Sequence, residues 1–369
     1  MENFEGDSIS GIVLLTKNPA FNMEKPYELE LFGKPMYNWV SLAFKDSPFQ
    51  NLVYEPSVDI VPFIKPYIDG NSRYTVVLYS DTPLFQRKTL LEILKYADSH
   101  NLNVCRLTRG WVFNTEYLKT CEKVFASKTY YFDEEDFLTA SDFKQLSLVS
   151  DLMRQRILAF HMKNGVYITD PASTFIDGDV IIEKNVTIMP GNTLKGRTLI
   201  MSGATLKQGN TIRDSVIGSN ATVLRSELNE CKVGEGTTVG PYAYIRPDVE
   251  IGARCRIGDF VELKKAVIGD GSKVSHLAYV GDAEIGKNCN IGCGVVFVNY
   301  DGKNKSKSVV ADNVFVGSNS NIIAPVTLKE GSYIAAGSTI NESVAGGLAI
   351  ARARQVNKPQ WQPPKKKEK

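Results

Sequence analysis

The carboxyl-terminal half of the chain repeats one pattern of apolar and polar positions. From Ile176 onward an aliphatic residue recurs at a period of six, often followed by glycine, then by two turn-forming residues and a small residue. The units read IEKNVT, IMPGNT, LKGRTL, IMSGAT, LKQGNT, VGEGTT, VGPYAY, IRPDVE, IGARCR and IGDFVE, and later IGDGSK, VSHLAY, IGKNCN, IGCGVV, VADNVF, VGSNSN, IIAPVT, LKEGSY and IAAGST. A fixed short period of this kind indicates a repeat architecture.

A period of six does not fit an α-helix, whose apolar stripe recurs about every 3.6 residues, or a simple two-faced strand. It predicts a solenoid with three short strands in each coil, where the first Ile, Leu or Val of each unit points inward and stacks on the next coil. Gly, Asn and Asp at the intervening positions suit tight corners with positive φ. We therefore predict a parallel β-helix over residues 166–340, preceded by a linking helix at 146–165 and followed by an extension at 341–369.

Two polar segments interrupt or end the repeat. FVNYDGKNKSKSV, between IGCGVV and VADNVF, lacks an inward aliphatic residue, and we expect it to loop out of the coil. After IAAGST the chain leaves the helix through NESVAGGLAIARARQVNKPQWQPPKKKEK, and the Pro- and Lys-rich end is expected to be disordered.

Residues 1–145 follow a different pattern. Apolar runs such as GIVLL and RYTVVLYS have the length and composition of buried strands, and TLLEILKYADSH has the spacing of an amphipathic helix. This alternation predicts a separate α/β domain with a reduced Rossmann-type sheet.

Composition narrows the classes of partner. The chain has 43 Lys and Arg against 41 Asp and Glu, so long-range attraction to nucleic acid or to a membrane surface is not expected. No apolar run is long enough to span a bilayer, and the start MENFEGDSIS lacks the features of a signal peptide, which favours a cytoplasmic protein. The six cysteines are scattered, which argues against a disulfide framework or a zinc site and favours thiols at core positions.

The repeat resembles that of the hexapeptide-repeat acyltransferases, which implies a left-handed helix and a homotrimer. The resemblance is closer over residues 165–359, through GPYAYIRPDVEIGARCRIGDFVELKKAVIGDGSKVSHLAYVGDAEIGKNCN and NYDGKNK. This segment is similar to the acetyltransferase half of the bifunctional UDP-N-acetylglucosamine pyrophosphorylase/glucosamine-1-phosphate N-acetyltransferase family. The resemblance implies acetyl-CoA-dependent N-acetylation of glucosamine 1-phosphate, within UDP-N-acetylglucosamine synthesis.

Acetyl transfer to an amine needs a base that removes a proton from the ammonium, and histidine suits this in its pKa. The chain has three histidines, and only His276 lies in the predicted β-helix. The resemblance implies that His276 is the catalytic base. The alternative is that His276 only ends a coil edge and has no catalytic role.

The resemblance also assigns the residues that bind the substrates. Those implied to hold the amino sugar phosphate are Arg246, Lys264, Tyr279 and Asn290, together with Lys305, which would reach the phosphate in a neighbouring subunit. Those implied to lie along coenzyme A are Asn299, Tyr300, Ser318, Ala336 and Arg352, with Cys293 where the family commonly has alanine. For the basic residues, a solvated coil surface is the alternative.

The amino-terminal domain has fainter echoes of a sugar nucleotidyltransferase, and Asp81 stands where that family keeps a metal-binding Asp. The Gly-rich turn that would cradle nucleotide phosphates reads LLTKNPAFNM, without glycine or arginine, and Ser150 replaces a second metal ligand, an Asn. We therefore expect a degenerate domain without pyrophosphorylase activity, which would need Mg²⁺ only if it were active.

Three alternatives stay open. The acceptor could be another amino sugar phosphate, or the protein could be a non-catalytic scaffold or regulatory homologue. A zinc hydratase on the same helix would need three imidazoles, and the single histidine of the repeat region argues against it.

Overall fold

The computed structural model describes residues 8–55, 57–124 and 128–362. The chain divides into two compact units, the first comprising Met1–His161 with Phe175–Asp179 and the second comprising Met162–Thr174 with Val180–Lys369. The predicted disorder at the Lys-rich end falls on residues 363–369, which lie outside the described residues.

The first unit is built on a five-stranded sheet. The strand Ile9–Thr16 lies between Phe49–Tyr54 and Tyr74–Tyr79 and runs parallel to both. Beyond Tyr74–Tyr79 come Gly110–Asn114, which is antiparallel to it, and then Val104–Leu107. A short hairpin joins Glu30–Leu31 to Lys34–Pro35. The α-helices are Met36–Ser41, Ile60–Ile64, Arg87–Ser99, Thr115–Thr120 and Phe143–Lys163. This arrangement confirms the predicted α/β class.

Successive residues of the central strands face opposite sides of this sheet, as the period of a strand requires. Val13 and Leu78 pack into one apolar cluster, while Ile12 and Val77 pack into another. Gly11 is required between them and the helices, since a Cβ there would lie 2.5 Å from the ring of Phe44. The apolar runs of the sequence therefore reflect strands buried on both faces.

The second unit is a parallel β-helix in which each short strand pairs with its equivalent one coil later. The first of its three faces, face 1, is a ladder of eleven parallel strands. These strands are Tyr167–Ile168, Thr187–Ile188, Thr205–Leu206, Thr222–Val223, Thr238–Val239, Arg256–Asp259, Lys273–His276, Asn290–Ile291, Phe315–Val316, Tyr333–Ile334 and Leu348–Ala349.

Two further ladders complete the triangular coil. Face 2 contains Thr193–Lys195, Thr211–Arg213, Glu227–Asn229, Tyr244–Ile245, Val296–Val298, Asn321–Ile323 and Thr339–Ile340. Face 3 contains Ile181–Ile182, Leu199–Ile200, Val216–Ile217, Cys231–Val233, Val249–Ile251, Ser308–Val310 and Thr327–Leu328. Glu262–Ile268 and Tyr279–Ile285 are longer and run across the corner, so each contributes to both faces.

The first apolar residue of each unit points inward, as predicted. Ile245, Leu263 and Val280 are fully buried on consecutive coils of face 2, while the residues that flank them point outward. Burying such ladders of side chains contributes about 25 cal/mol per Å² of apolar surface. Each outward row is therefore a regular array held at the spacing of the coils, and it is on these rows that a site can form.

The structure differs from the prediction in four places. The long helix begins at Phe143 and ends at Lys163, and a strand at Leu348–Ala349 pairs with Tyr333–Ile334 inside the predicted extension. Regular coils also cover residues 211–233, where the period of six is not regular in the sequence. Four cysteines are buried, but Cys121 is half-buried and Cys293 is exposed, so the expected core position is wrong for Cys293.

No helix among residues 8–55, 57–124 and 128–362 combines the length and the apolar character that a membrane crossing requires.

Candidate functional site

One edge of the β-helix, where face 1 ends, places a single column of residues on consecutive coils. The column consists of Asp259, His276, Cys293, Ser318 and Ala336. Backbone hydrogen bonds between coils hold its register, from the N–H groups of Leu277 to Asp259 (2.9 Å), Gly294 to Leu277 (2.9 Å), Asn319 to Cys293 (2.7 Å) and Gly337 to Ser318 (2.8 Å). The predicted base and three of the residues predicted to contact coenzyme A therefore share one edge.

His276 ends the strand Lys273–His276, and its side chain is 53% exposed. Its Nδ1 lies 2.6 Å from Oδ1 of Asp259, which occupies the same register one coil earlier. The hydrogen bond to His276 lowers the pKa of Asp259 below its ordinary value, so the carboxylate stays ionised at neutral pH. Asp259 was not among the predicted site residues, although it has the third position in IGDFVE that His276 has in VSHLAY.

The outward row of face 2 next to this edge places Arg246 beside an acidic and a phenolic side chain. Arg246 Nη1 donates to Oε1 of Glu262 at 2.8 Å. Glu262 lies opposite Tyr279 in the ladder, and the ring of Tyr279 lies over Gly281, where a Cβ would collide with the phenol. Glycine at this position therefore allows the tyrosine side chain to lie flat along the face.

A second group on face 2 surrounds Lys264. Its Nζ lies 3.5 Å from Oδ2 of Asp282, and the same carboxylate accepts a hydrogen bond from Nδ2 of the buried Asn299. Lys305 lies beside Lys264 in the same chain, and its proximity to this ammonium lowers the pKa of Lys305. The resemblance implies that Lys305 reaches the sugar phosphate of a neighbouring subunit, and within one chain it lies beside Lys264.

Residues 299–307, which include Lys305, loop out of the coil as predicted, whereas both ends of the predicted segment lie in the strands Val296–Val298 and Ser308–Val310. Local hydrogen bonds brace this loop. Oδ1 of Asp301 accepts from the backbone N–H groups of Lys303 (2.7 Å) and Asn304 (2.6 Å), and these bonds lower the pKa of Asp301. The exposed Tyr300 donates from its hydroxyl to the Gly302 carbonyl at 2.6 Å, and its backbone pairs with that of Lys305. The loop is thus braced by its own polar groups, and its Lys305 lies beside Lys264 of face 2.

Two predicted residues lie apart from these groups. Asn290 begins a face 1 strand opposite Lys273, so it stands at the other end of that face from the His276 edge. Arg352 is exposed and follows Ala351, whose carbonyl accepts from the Thr339 N–H at 3.0 Å in the last coil. Arg352 therefore lies beyond Ala336 in the direction of the column.

Asp81, the predicted metal ligand, is fully engaged in the first unit. Arg109 donates from Nε to its Oδ1 at 3.1 Å and from Nη2 to its Oδ2 at 2.6 Å. The guanidinium also lies 3.9 Å from the ring centroid of Tyr79, whose burial raises its pKa to about 12. Within the described part of the chain, no three His, Cys, Asp or Glu side chains are grouped to hold a metal ion. These residues do not fit Mg²⁺, because the carboxylate that would bind it already has a cation.

The turn that replaces the Gly-rich loop also uses its own polar groups. Asn18 accepts the Ala20 N–H on its side chain at 3.1 Å and the Phe21 N–H on its carbonyl at 3.2 Å. The next N–H, that of Asn22, donates to the carbonyl of Pro19 at 3.0 Å, and Pro19 has no N–H to offer. These N–H groups are therefore not turned outward toward a phosphate.

Two family models and several curated proteins are similar to this chain. Residues 227–301 match the GMPPB C-terminal domain and residues 307–342 match the bacterial transferase hexapeptide family, which with the coil-by-coil pairing confirms a left-handed β-helix. A "Bifunctional protein GlmU" of Clostridium acetobutylicum is 47% identical, over 75% of this chain and 60% of that protein. One of Clostridium botulinum strain Langeland is 46% identical, over 92% of this chain and 74% of that protein.

Solved structures are more distant. A UDP-N-acetylglucosamine acyltransferase from Arabidopsis is 18% identical with a TM-score of 0.32, over 48% of this chain and 70% of that one. The chain thus spans about three fifths of the length of the first relative named above.

Proposed function

Because the chain belongs to the family of bifunctional GlmU proteins, we propose that it transfers the acetyl group of acetyl-CoA to the amine of glucosamine 1-phosphate, giving N-acetylglucosamine 1-phosphate for UDP-N-acetylglucosamine synthesis. One observation carries the proposal. His276, an exposed imidazole with a carboxylate partner, stands at a coil edge beside a face that presents Arg246, Lys264 and Lys305. Such a site offers a base for an amine and cations for a phosphate.

The proposed reaction begins with the acceptor as an ammonium ion. His276 removes a proton through Nε2, and the amine lone pair attacks the thioester carbonyl carbon. The new C–N bond forms as the carbonyl becomes a tetrahedral oxyanion, which collapses and breaks the C–S bond. The proton held by His276 then goes to the departing thiolate, and the second proton of the attacking nitrogen is lost to solvent, so that a neutral amide and free coenzyme A are released and the imidazole is neutral again.

The cationic groups of face 2 are proposed to bind the phosphate of the acceptor. Lys264 and Lys305 lie side by side, which is unfavourable for two ammonium ions unless an anion lies between or above them. A phosphate supplies that charge. Arg246, held by Glu262, and the phenol of Tyr279 are proposed to contact the sugar from the adjoining row.

The edge column is proposed to guide coenzyme A. Ser318 and Ala336 continue the line from His276, and Cys293 keeps the backbone groups of the alanine that the family commonly has there. Asn299 and Tyr300 follow the face 2 strand Val296–Val298 and are proposed to contact coenzyme A from there. Arg352, beyond the end of the column, is proposed to pair with a coenzyme A phosphate. Asn290 lies at the far end of face 1, and we propose that it acts in a neighbouring copy of a homotrimer. Light scattering would measure the mass of this homotrimer.

We also propose that the first unit has no pyrophosphorylase activity. The pairing of Asp81 with Arg109 and the internally bonded turn at residues 18–22 support this, because the reaction needs a free metal ligand and free N–H groups for the nucleotide phosphates. Formation of UDP-N-acetylglucosamine from UTP, N-acetylglucosamine 1-phosphate and Mg²⁺ would disprove it.

The deciding experiment measures free thiol released from acetyl-CoA with glucosamine 1-phosphate, glucosamine 6-phosphate and glucosamine as acceptors. Turnover confined to glucosamine 1-phosphate is expected. Turnover confined to another phosphorylated amino sugar would keep the chemistry and replace the acceptor. Absence of turnover with all three, together with tight coenzyme A binding, would favour a non-catalytic homologue.

A further inference from the structure

The contact between His276 and Asp259 links two consecutive coils at the edge of face 1. The strands Arg256–Asp259 and Lys273–His276 are paired in parallel with these two residues opposite each other, and the Leu277 N–H donates to the Asp259 carbonyl at 2.9 Å. The carboxylate is therefore fixed by the same backbone ladder that fixes the imidazole. A 2.6 Å separation between Nδ1 and Oδ1 is that of a direct hydrogen bond.

An ionised carboxylate can only accept hydrogen bonds, so the imidazole must donate through Nδ1–H. In a neutral imidazole the proton then lies on Nδ1, and the ring lone pair that can accept a proton is on Nε2, on the side of the ring away from Asp259. We infer that Asp259 is a positioning residue that holds His276 in the Nδ1–H tautomer and leaves Nε2 as the proton acceptor. The inference deepens the proposed acetyl transfer and rests on it only for the kinetic part of its test.

The charged and titratable neighbours do not offer His276 an equivalent partner. Arg256 lies on the strand of Asp259 and lowers the pKa of that carboxyl, which keeps it an acceptor. Lys273 begins the strand that His276 ends, and Cys293 has the position of His276 on the next coil. An ammonium has no acceptor atom and the sulfur of a cysteine is only a weak one, so neither replaces a carboxylate as acceptor for Nδ1–H.

The test compares Asp259→Ala with the wild type and with Glu250→Ala, which removes an exposed carboxylate that pairs with Lys232 on face 3. The ¹⁵N shifts of the ring nitrogens of His276 report the tautomer directly at a pH where the ring is neutral. The signal can be assigned with His276→Ala because the chain has only three histidines. We expect Nδ1–H in the wild type and in Glu250→Ala, and a large fraction of Nε2–H in Asp259→Ala.

Turnover supplies the second readout. With saturating substrates, kcat of Asp259→Ala should fall about 10- to 100-fold, part of the contribution of a general base, while KM changes little. Asp259→Glu should restore part of the loss. An unchanged tautomer in Asp259→Ala would overturn the inference whatever the acceptor is. A changed tautomer with unchanged kcat would reject His276 as the base and leave Asp259 as its structural partner only.

Discussion

Two places in this molecule resemble reaction sites in their sequence, and the structure engages their carboxylates in opposite ways. At the coil edge, Asp259 binds Nδ1 of His276, whose side chain is 53% exposed. In the first unit, both oxygens of Asp81 bind Arg109. The first arrangement leaves an imidazole about half exposed, while the second pairs the predicted metal ligand with a cation of the same chain.

To bind a ligand, a residue in the expected position must also have an atom that no other group of the chain occupies. Lys264 and Lys305 are held close to each other despite their like charge, with only Asp282 of opposite charge described beside them. Asp81 and Arg109 are a matched pair with good bidentate geometry. An excess of one charge favours a ligand, and a matched pair favours stability.

Replacing His276 should have the largest effect. His276→Ala is expected to lower kcat for acetyl transfer about 1,000-fold, within the range that a general base contributes, because no other imidazole of the repeat region can take the proton. The measurement is thiol release at saturating substrates. The control is His100→Ala, which removes an exposed histidine of the first unit that contacts Tyr96. Turnover within about threefold of the wild type would exclude His276 as the base.

Removing one of the paired ammonium groups should have the next largest effect. Lys264→Ala is expected to raise KM for the phosphorylated acceptor about 10- to 100-fold, since hydrogen bonds to a charged group contribute about 1.5–3 kcal/mol. KM for acetyl-CoA should change little. Lys303→Ala removes a cation from the same loop that carries Lys305, and it should leave both values close to the wild type. Equal losses in both variants would show that only net charge matters.

A stability experiment tests whether the pair of Asp81 and Arg109 stabilises the first unit. Arg109→Ala leaves Asp81 with its side chain only 12% exposed and without its bidentate partner. The free energy of unfolding should fall by about 1–2 kcal/mol, less than for a fully buried pair because the Arg109 side chain is 35% exposed. Urea titration followed by circular dichroism measures the change, with Arg106→Ala, at an exposed position, as the control.

The same variant, with Mn²⁺ added, tests whether Arg109 alone keeps a divalent cation away from Asp81. Freed from Arg109, Asp81 is a single carboxylate, and one carboxylate does not make a divalent cation site. Arg109→Ala should therefore not bind Mn²⁺ at micromolar concentration by electron paramagnetic resonance. Binding in the variant but not in the wild type would show that Arg109 alone closes a metal site.

The fold was largely predictable because a period of six records the inward ladder directly. The prediction was weakest at residues 211–233, where Ile212 and Ile217, and later Leu228 and Val233, are one residue closer than the period. The structure absorbs the missing residue at a tight corner, as at Asp214, where φ is positive without glycine. A shortened corner keeps the inward residues stacked but breaks the sequence period.

The site was predictable only in part. His276, Cys293, Ser318 and Ala336 all have the third position of a face 1 unit, and this shared position places them on one edge. The same rule selects Asp259, but a role for it requires the side-chain contact that only the structure gives. Lys305 lies on a loop outside the period, and Arg109 is far from Asp81 in sequence, so no local pattern could place either one.

The smallest expected effect concerns pH and separates charge from position. The neighbouring Lys264 ammonium lowers the pKa of Lys305, so Lys305 loses its proton at a lower pH than an ordinary lysine. A phosphate needs the protonated form, so kcat/KM for the phosphorylated acceptor should decline as pH rises through this lowered pKa. In Lys264→Ala the like charge is absent, and the decline should move to higher pH even though the value at neutral pH is reduced. Lys303→Ala should leave the decline where it is in the wild type. A decline that does not move in Lys264→Ala would mean that the two ammonium groups titrate independently. Lys264 and Lys305 would then be two separate contacts to the phosphate.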